Sequence, residues 1–393
     1  MKSILYLYHT SSIGGGSYCL LNILKRLDRS KYKPYVLLKE YGPLVGEIRK
    51  LDIPIYFLNG LSTVPYNAST FTLKNIINSI RLIISSKRYR ELLKTIKPDI
   101  VYVNTMMLYP YLRTAKKMGA NTIIHIREHW PQGQHRIQRK IALGHIDKYA
   151  DQIVAINTYS ASMFSFSNKP KTIVYDWIDL SDRYESTPLS NIFGESLKDK
   201  KVYLYMGGMQ VIKGAFQVIK GFTESVSDPN ARLLVMGIQE NCYSKGWKRF
   251  IKTILTKLGM PPYTERVRLA IDKDNRIKCI PSQYKINHII EQTYCILSYF
   301  TIPHANLALA ESIILGTPSI AARTSESMEY SLNGSMASLF KLNDYEDFKT
   351  HIRSFPKEHE MLMKSIGEHS EEIVRLFDPQ INSEKLNEVY SAL

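Results

Sequence analysis

Short apolar runs alternating with helix-period segments constrain this chain more than any other feature. "SILYLY", "YKPYVLL", "IPIYFL", "PDIVYVN", "NTIIHI" and "QIVAIN" succeed one another through the first half, each rich in Ile, Val and Tyr. Runs that are apolar on both faces suit a parallel sheet covered by helices, so the pattern predicts βαβ units. It pauses at 183–200, "RYESTPLSNIFGESLKDK", a polar stretch that reads as a linker, and restarts with "KVYLYMGG", "ARLLVMG", "IKCIPS", "TYCILSYF" and "TPSIAA". The expectation is an α/β chain of two doubly wound domains, with no internal repeat or low-complexity tract.

A length of 393 residues with 44% hydrophobic content supports two cores of ordinary size. No apolar run approaches the roughly 20 residues that cross a bilayer, and the start of the chain lacks a signal-peptide pattern, so a cytoplasmic protein is expected. Cys19, Cys242, Cys279 and Cys295 have no metal or redox spacing and read as buried or free thiols.

Charge is unevenly placed. Of the net +16, residues 1–185 carry 27 basic against 13 acidic side chains, +14, leaving 25 against 23, +2, for the rest. Such asymmetry points the basic half at a polyanion, nucleic acid or an anionic membrane surface. No nucleic-acid motif or stacking aromatic pattern is present, which leaves the membrane. Residues 73–84 place Leu73, Ile76, Ile77, Ile80, Ile83 and Ile84 on one helical face, with Lys74, Arg81 and Arg88 on the other, and Lys87 and Arg90 extend the basic character. This helix either buries its isoleucines and solvates its cations, or lays Lys74, Arg81, Lys87, Arg88 and Arg90 on lipid headgroups.

Gly14, Gly15 and Gly16 lie between a first strand and a first helix, where free helix N–H groups attract negative charge. Their contiguity does not fit the G-x-G-x-x-G dinucleotide fingerprint, which argues against a Rossmann dehydrogenase. "YMGGMQVIKGAFQVIKGF" sets Gly207 and Gly208 after a strand and Lys213-Gly214 at a helix start, a placement that suits a diphosphate. "TIPHANLALAESIILGTPSIAA" gives strand, turn, a helix carrying Glu311, then Gly316-Thr317-Pro318; an acid inside the apolar run Leu307–Leu315 is costly unless used. His125 ends an apolar strand, as a satisfied core histidine or a site residue. Arg127 and Glu128 lie beside it, as further site residues or simply paired with each other. Asp272-Lys273-Asp274 reads as a solvated charged loop, and no metal is expected.

These blocks, together with "KPDIVYVN" at 97–104, "HIREHW" at 125–130, "VAINTYSASM" at 154–163 and "VYDWID" at 174–179, resemble the family 4 retaining glycosyltransferases of GT-B architecture that build bacterial surface polysaccharides such as lipopolysaccharide or capsule. The resemblance implies two Rossmann-like domains facing across a cleft. Residues 1–185 would bind the acceptor, 186–368 the nucleotide sugar, and helices in 369–393 would cross back to the first domain. Carried over by position, Lys213 would hold the donor diphosphate, Glu311 the ribose hydroxyls, and Asn306 and Leu307 the phosphate or sugar. Gly15 and Gly16 would approach the same diphosphate, Gly207 and Gly208 would form the donor-side turn, and His125 would contact the transferred sugar. His125 and Glu311 are thus the candidate catalytic pair.

Two positions depart from the family. Gly208 stands where an arginine is usual, and Pro303, followed by His304, where a second glutamate is usual. His304 as a substitute hydrogen-bond partner, or Arg323 reaching the phosphates, are the alternatives that would compensate. The implied protein needs no cofactor beyond its nucleotide-sugar substrate, takes a lipid-linked oligosaccharide as acceptor, and sits peripherally on the inner face of the plasma membrane. A GT-B-shaped nucleotide-sugar epimerase and a non-enzymatic polyanion-binding protein are the alternatives.

Overall fold

A computed structural model describes residues 1–64, 73–130, 136–180, 188–238, 260–283 and 285–393, with side chains from 80 onward in the helix Leu73–Ile96 and from 137 onward in the helix Arg136–Tyr149. The chain forms two compact units, Met1–Trp177 with Phe377–Leu393, and Ile178–Leu376.

In the first unit, strands β1 (Lys2–Tyr8), β2 (Tyr32–Leu38), β3 (Ile55–Phe57), β4 (Ile100–Val103), β5 (Asn121–Ile126), β6 (Gln152–Ala155) and β7 (Lys171–Ile173) form one sheet in the order β3-β2-β1-β4-β5-β6-β7, all parallel. Ile4 to Leu7 are fully buried because helices cover both faces of β1. Leu5, Leu7, Val101, Val103, Ile124 and Ile126 pack against Tyr89, Leu93, Tyr111, Leu112 and Ile146 from the helical layer. The strand order reverses between β1 and β4, where a doubly wound sheet opens a crevice beyond its strand carboxyl ends.

The last helix, Pro379–Ser391, completes this unit. Asp378 caps it by accepting from the Ile381 N–H at 2.8 Å, and Pro379 sits where no N–H is needed. Tyr6 donates to the Tyr390 hydroxyl at 3.0 Å, the Tyr175 N–H donates to Asn382 Oδ1 at 2.9 Å, and Asn121 Nδ2 donates to the Leu393 carbonyl at 3.0 Å.

The second unit repeats the plan with β8 (Lys201–Tyr205), β9 (Ala231–Met236), β10 (Ile277–Ile280), β11 (Cys295–Ser298), β12 (Ser319–Arg323) and β13 (Ser338–Lys341), ordered β10-β9-β8-β11-β12-β13 and all parallel. Its switch point lies between β8 and β11. The long helix Tyr345–Leu376 buries Phe348, Ile352 and Phe355 against this sheet.

Several expectations are corrected. Residues 188–200 are no free linker: the helix Leu189–Phe193 buries Leu189 and Phe193 against Val202, Leu204 and Ile289, and Glu195 bridges Lys200 and Arg232. In the triplet at 272–274, Asp272 and Lys273 are exposed as expected of a solvated loop, but Asp274 is buried, pairs with Arg276 at 2.7 Å and accepts from Thr223 at 3.0 Å. The helix Leu73–Ile96 faces the core through Leu82, Tyr89, Leu92, Leu93 and Ile96, while Ile80, Ile83 and Ile84 are exposed. As expected, Cys19 and Cys295 are buried; Cys279 is half-buried, and Cys242 lies outside the described residues.

Candidate functional site

At the switch point of the second unit, β8 runs into Gly207-Gly208, a short 3-10 turn Val211–Lys213, and the helix Ala215–Ser225. The Tyr205 hydroxyl fixes this turn by reaching the carbonyls of Gly208 at 3.1 Å and Lys213 at 3.0 Å. A Cβ on Gly207 would collide with that hydroxyl. Gly208 has φ +60° and lies against Gly237, itself at φ +89°, so the position favoured by arginine in the resembled family is left-handed backbone here. Gly214, at φ +64°, lets Lys213 turn into the helix beneath Tyr299.

Beside this turn, β11 leads to the helix Leu307–Ile314. Asn306 caps it, its Oδ1 accepting from the Leu309 N–H at 3.3 Å and from Ser298 at 3.0 Å. Asn306 Nδ2 is buried with no hydrogen-bond partner among the described residues. Glu311, one turn into the helix, is 8% exposed. Burial pushes its carboxyl up to about 8, and the Lys213 ammonium pulls in the opposite direction. Burial likewise lowers the Lys213 pKa, with Glu311 opposing. The two sense each other's charge, yet neither side chain makes a hydrogen bond or ion pair among the described residues. A buried acid and a half-buried base that influence each other without bonding are groups that a polar ligand would satisfy.

Leu307 and His304 are half-buried, and the His304 ring lies 5.3 Å from that of Phe300. Arg323 ends β12 and donates to the Leu339 carbonyl of β13 at 3.3 Å.

The first unit gathers a second cluster at its own switch point. His125, near the end of β5, is 1% exposed. Its Nδ1 meets the Tyr102 hydroxyl of β4 at 2.6 Å and Arg127 Nη2 at 3.3 Å. Arginine has only donors, so Nδ1 accepts, Tyr102 donates, and the ring proton resides on Nε2. Nε2 is buried with no hydrogen-bond partner among the described residues. Burial, reinforced by the Arg127 charge, holds the imidazole pKa well below its usual value, so the ring is neutral.

Arg127 and Glu128 do not pair with each other. Arg127 Nη1 binds the Asp176 carboxylate, reaching Oδ2 at 2.6 Å, and its Nε donates to Asn104 Oδ1 at 3.0 Å. Glu128 accepts from the Thr105 hydroxyl and from the Met106 N–H at 2.8 Å, and burial raises its pKa. Tyr102, Asn104 and Asp176 were not singled out by sequence, although each lies in a run at a strand end, "KPDIVYVN" or "VYDWID".

The glycine turn opens the helix Gly15–Lys25. Gly14 supplies no side-chain cap, and its carbonyl accepts from the N–H groups of Ser17 and Tyr18, both at 3.0 Å. Only Gly16 is required by packing, since a Cβ there would strike the Tyr8 hydroxyl; Gly14 and Gly15 face open space and leave the helix end uncovered. Arg81, Lys87, Arg88 and Arg90 are exposed on the helix Leu73–Ile96, and Arg88 donates to the Asn59 carbonyl at 3.3 Å; the side chain of Lys74 lies outside the described residues.

No protein-family model matches the sequence, and no curated protein matches it. Solved structures do. HepE of Anabaena, in complex with UDP and glucose, matches with a TM-score of 0.76 at 15% identity, covering 100% of both chains. A glycosyltransferase of Rickettsia africae matches with a TM-score of 0.69 at 15% identity, covering 100% of this chain and 98% of that one. The lipopolysaccharide outer core galactosyltransferase WaaB, in its apo form, matches with a TM-score of 0.57 at 16% identity over 100% of both chains. The likeness establishes the fold, two parallel Rossmann-like domains of GT-B type.

Proposed function

We propose that this chain is a retaining glycosyltransferase that moves a sugar from a nucleoside-diphosphate donor, bound on the second unit, to a lipid-linked glycan acceptor, bound on the first. The observation that carries this reading is the Lys213–Glu311 arrangement at a switch point, a buried carboxyl and a half-buried lysine that influence each other electrostatically yet make no hydrogen bond or ion pair with one another. Lys213 would meet the diphosphate, Glu311 the ribose hydroxyls, and Asn306 Nδ2 a further donor oxygen. HepE, of the same fold, holds UDP and UDP-glucose in its crystal structures, and WaaB acts in lipopolysaccharide outer core synthesis, which favours a nucleotide sugar as donor and a surface glycan as product.

In this mechanism the bond from the sugar C1 to the diphosphate oxygen breaks while the acceptor oxygen bonds to C1 on the same face. The acceptor proton passes to the departing diphosphate. Lys213 stabilises the growing phosphate charge, as preorganised donors do wherever charge develops in a transition state. His125 would present its Nε2–H to a sugar hydroxyl, held in that tautomer by Tyr102 and Arg127. No metal enters this scheme.

The test is incubation of the protein with a panel of nucleotide sugars and an extract of bacterial membrane lipids, reading sugar transferred to lipid. Glu311→Ala should abolish transfer with the fold intact. Isomerised donor formed without acceptor would replace this reading with an epimerase. Wild-type turnover by Glu311→Ala at saturating donor would remove Glu311 from the site.

A further inference from the structure

Five isoleucines of the first unit stand in solvent: Ile80, Ile83 and Ile84 at 55, 63 and 50% exposure, and Ile137 and Ile141 at 62 and 56%. Leu82, Tyr89, Leu92, Leu93 and Ile96 already anchor the helix Leu73–Ile96 to the core, and Ser85 bonds the Tyr111 hydroxyl at 2.6 Å, so the exposed isoleucines are not needed for packing. Their spacings, 80-83-84 and 137-141, make each set one stripe on its helix.

The two stripes lie on helices of the same layer. Both helices pack against the helix Pro110–Lys117 between them, so they cover one face of the sheet. The helix Leu73–Ile96 follows β3 and Arg136–Tyr149 follows β5, and a helix that follows a parallel strand begins at the strand carboxyl edge. The isoleucines lie in the opening halves of both helices, at the same edge of the sheet as His125 and Arg127.

The surrounding charge identifies what covers them. From Leu73 to Arg90 the sequence holds Lys74, Arg81, Lys87, Arg88 and Arg90 and no Asp or Glu; from Arg136 to Ile146 it holds Arg136, Arg139 and Lys140 and again no acid. Two copies of such a face would repel each other. An anionic bilayer complements both features, since hydrocarbon accepts the isoleucines while phosphates meet the cations that flank them.

We propose that the opening halves of these two helices form a membrane-inserting face, which sets the His125 edge of the first unit against the lipid surface. This deepens the reading of a lipid-linked acceptor and rests on it. Docking here is hydrophobic as well as electrostatic, because the isoleucines project beside the cations instead of lying in the core.

Flotation with vesicles of phosphatidylcholine and phosphatidylglycerol in equal parts tests it, alongside calorimetry with UDP. The wild-type protein should float, and a several-fold rise in ionic strength should leave a bound fraction, because inserted side chains are not screened. The triple variant Ile80→Ser, Ile83→Ser, Ile84→Ser should partition at least about tenfold more weakly, and its residual binding should be lost at high salt. Its UDP affinity should match wild type, so a failed membrane result leaves the donor reading standing, whereas wild-type protein that ignores UDP overturns the donor reading instead. The proposal is overturned if wild type does not float, if the triple variant floats equally well, or if sedimentation shows a wild-type dimer that the triple variant dissolves.

Discussion

The Tyr102 hydroxyl lies 2.6 Å from His125 Nδ1, and with Arg127 Nη2 approaching the same nitrogen it fixes the imidazole as the Nε2–H tautomer. Tyr102 is therefore a positioning residue, acting through the histidine. Tyr102→Phe keeps the ring packing against Tyr6, at 5.1 Å between centroids, and removes the donor. A loss of one neutral hydrogen bond costs about 1 kcal/mol of stability. Nitrogen NMR of the labelled protein should show His125 protonated on Nε2 in wild type and a mixed tautomer in the variant, where only the longer Arg127 contact at 3.3 Å still opposes a proton on Nδ1. An unchanged tautomer would leave Tyr102 a packing residue only.

Glu311 makes stability depend on pH. Its folded pKa of about 8 lies above its ordinary value, so the folded state holds the proton more tightly than the unfolded chain. The stabilisation this represents is fully present below pH 4.5, the ordinary value of the group, and is lost as pH rises through about 8. Every tenfold difference in proton affinity between the folded and unfolded chain corresponds to about 1.4 kcal/mol. Glu311→Gln carries no such titration. Chemical denaturation of the nucleotide-free protein at pH 5, 7 and 9 should therefore show the variant gaining on wild type as pH rises. A pH-independent difference would mean that Glu311 is ionised throughout.

The turn that presents Lys213 depends on two glycines meeting backbone to backbone. A Cβ on Gly237 would come within 2.9 Å of Gly208 Cα, and its φ is +89°, whereas a Cβ on Gly208 meets only the Gly237 carbonyl oxygen at 3.4 Å, with φ +60°. Both substitutions strain left-handed backbone, at about 1–3 kcal/mol each, but only the first also forces main chain apart. Gly237→Ala should lower Tm more than Gly208→Ala. The reverse order, read by calorimetry, would show that the turn relaxes freely.

Most of the sheet was legible because β1, β4, β5 and β8 are apolar on both faces, a pattern that only a covered parallel sheet rewards. β7 and β13 were not, since "KTI" and "SLFK" are too short and too polar to stand out from loop. The helix Leu73–Ile96 misled for a physical reason: it carries large apolar residues on two stripes, and local periodicity cannot say which one meets the core. Tyr89, Leu92 and Leu93 decided it through contacts distant in sequence. Site partnerships failed similarly, because the carboxylate that holds Arg127 belongs to Asp176 on a different strand end, while the neighbouring Glu128 turns to Thr105. Lys213 and Glu311 could be picked out singly, but their influence on each other's charge arises only when the ends of β8 and β11 meet.

Lys213 supplies the sharpest test of the donor site. The side chain is held without an ion pair among the described residues, and burial lowers its pKa, so its charge is poorly compensated until an anion arrives. A diphosphate would stabilise the ammonium by direct charge pairing and would form charge-assisted hydrogen bonds with it. Lys213→Ala removes that group and leaves the turn intact, because the turn is tied through the Lys213 carbonyl, which accepts from Tyr205, and the substitution does not touch it. UDP binding should weaken by about 1.5–3 kcal/mol, the range for a hydrogen bond to a charged group, or roughly 10- to 100-fold in Kd. Uridine, which lacks phosphates, should bind both proteins equally. Isothermal titration of the two ligands against the two proteins separates the effects: an equal loss for uridine would mean a disturbed pocket, and an unchanged Kd for UDP would move the phosphate site away from Lys213.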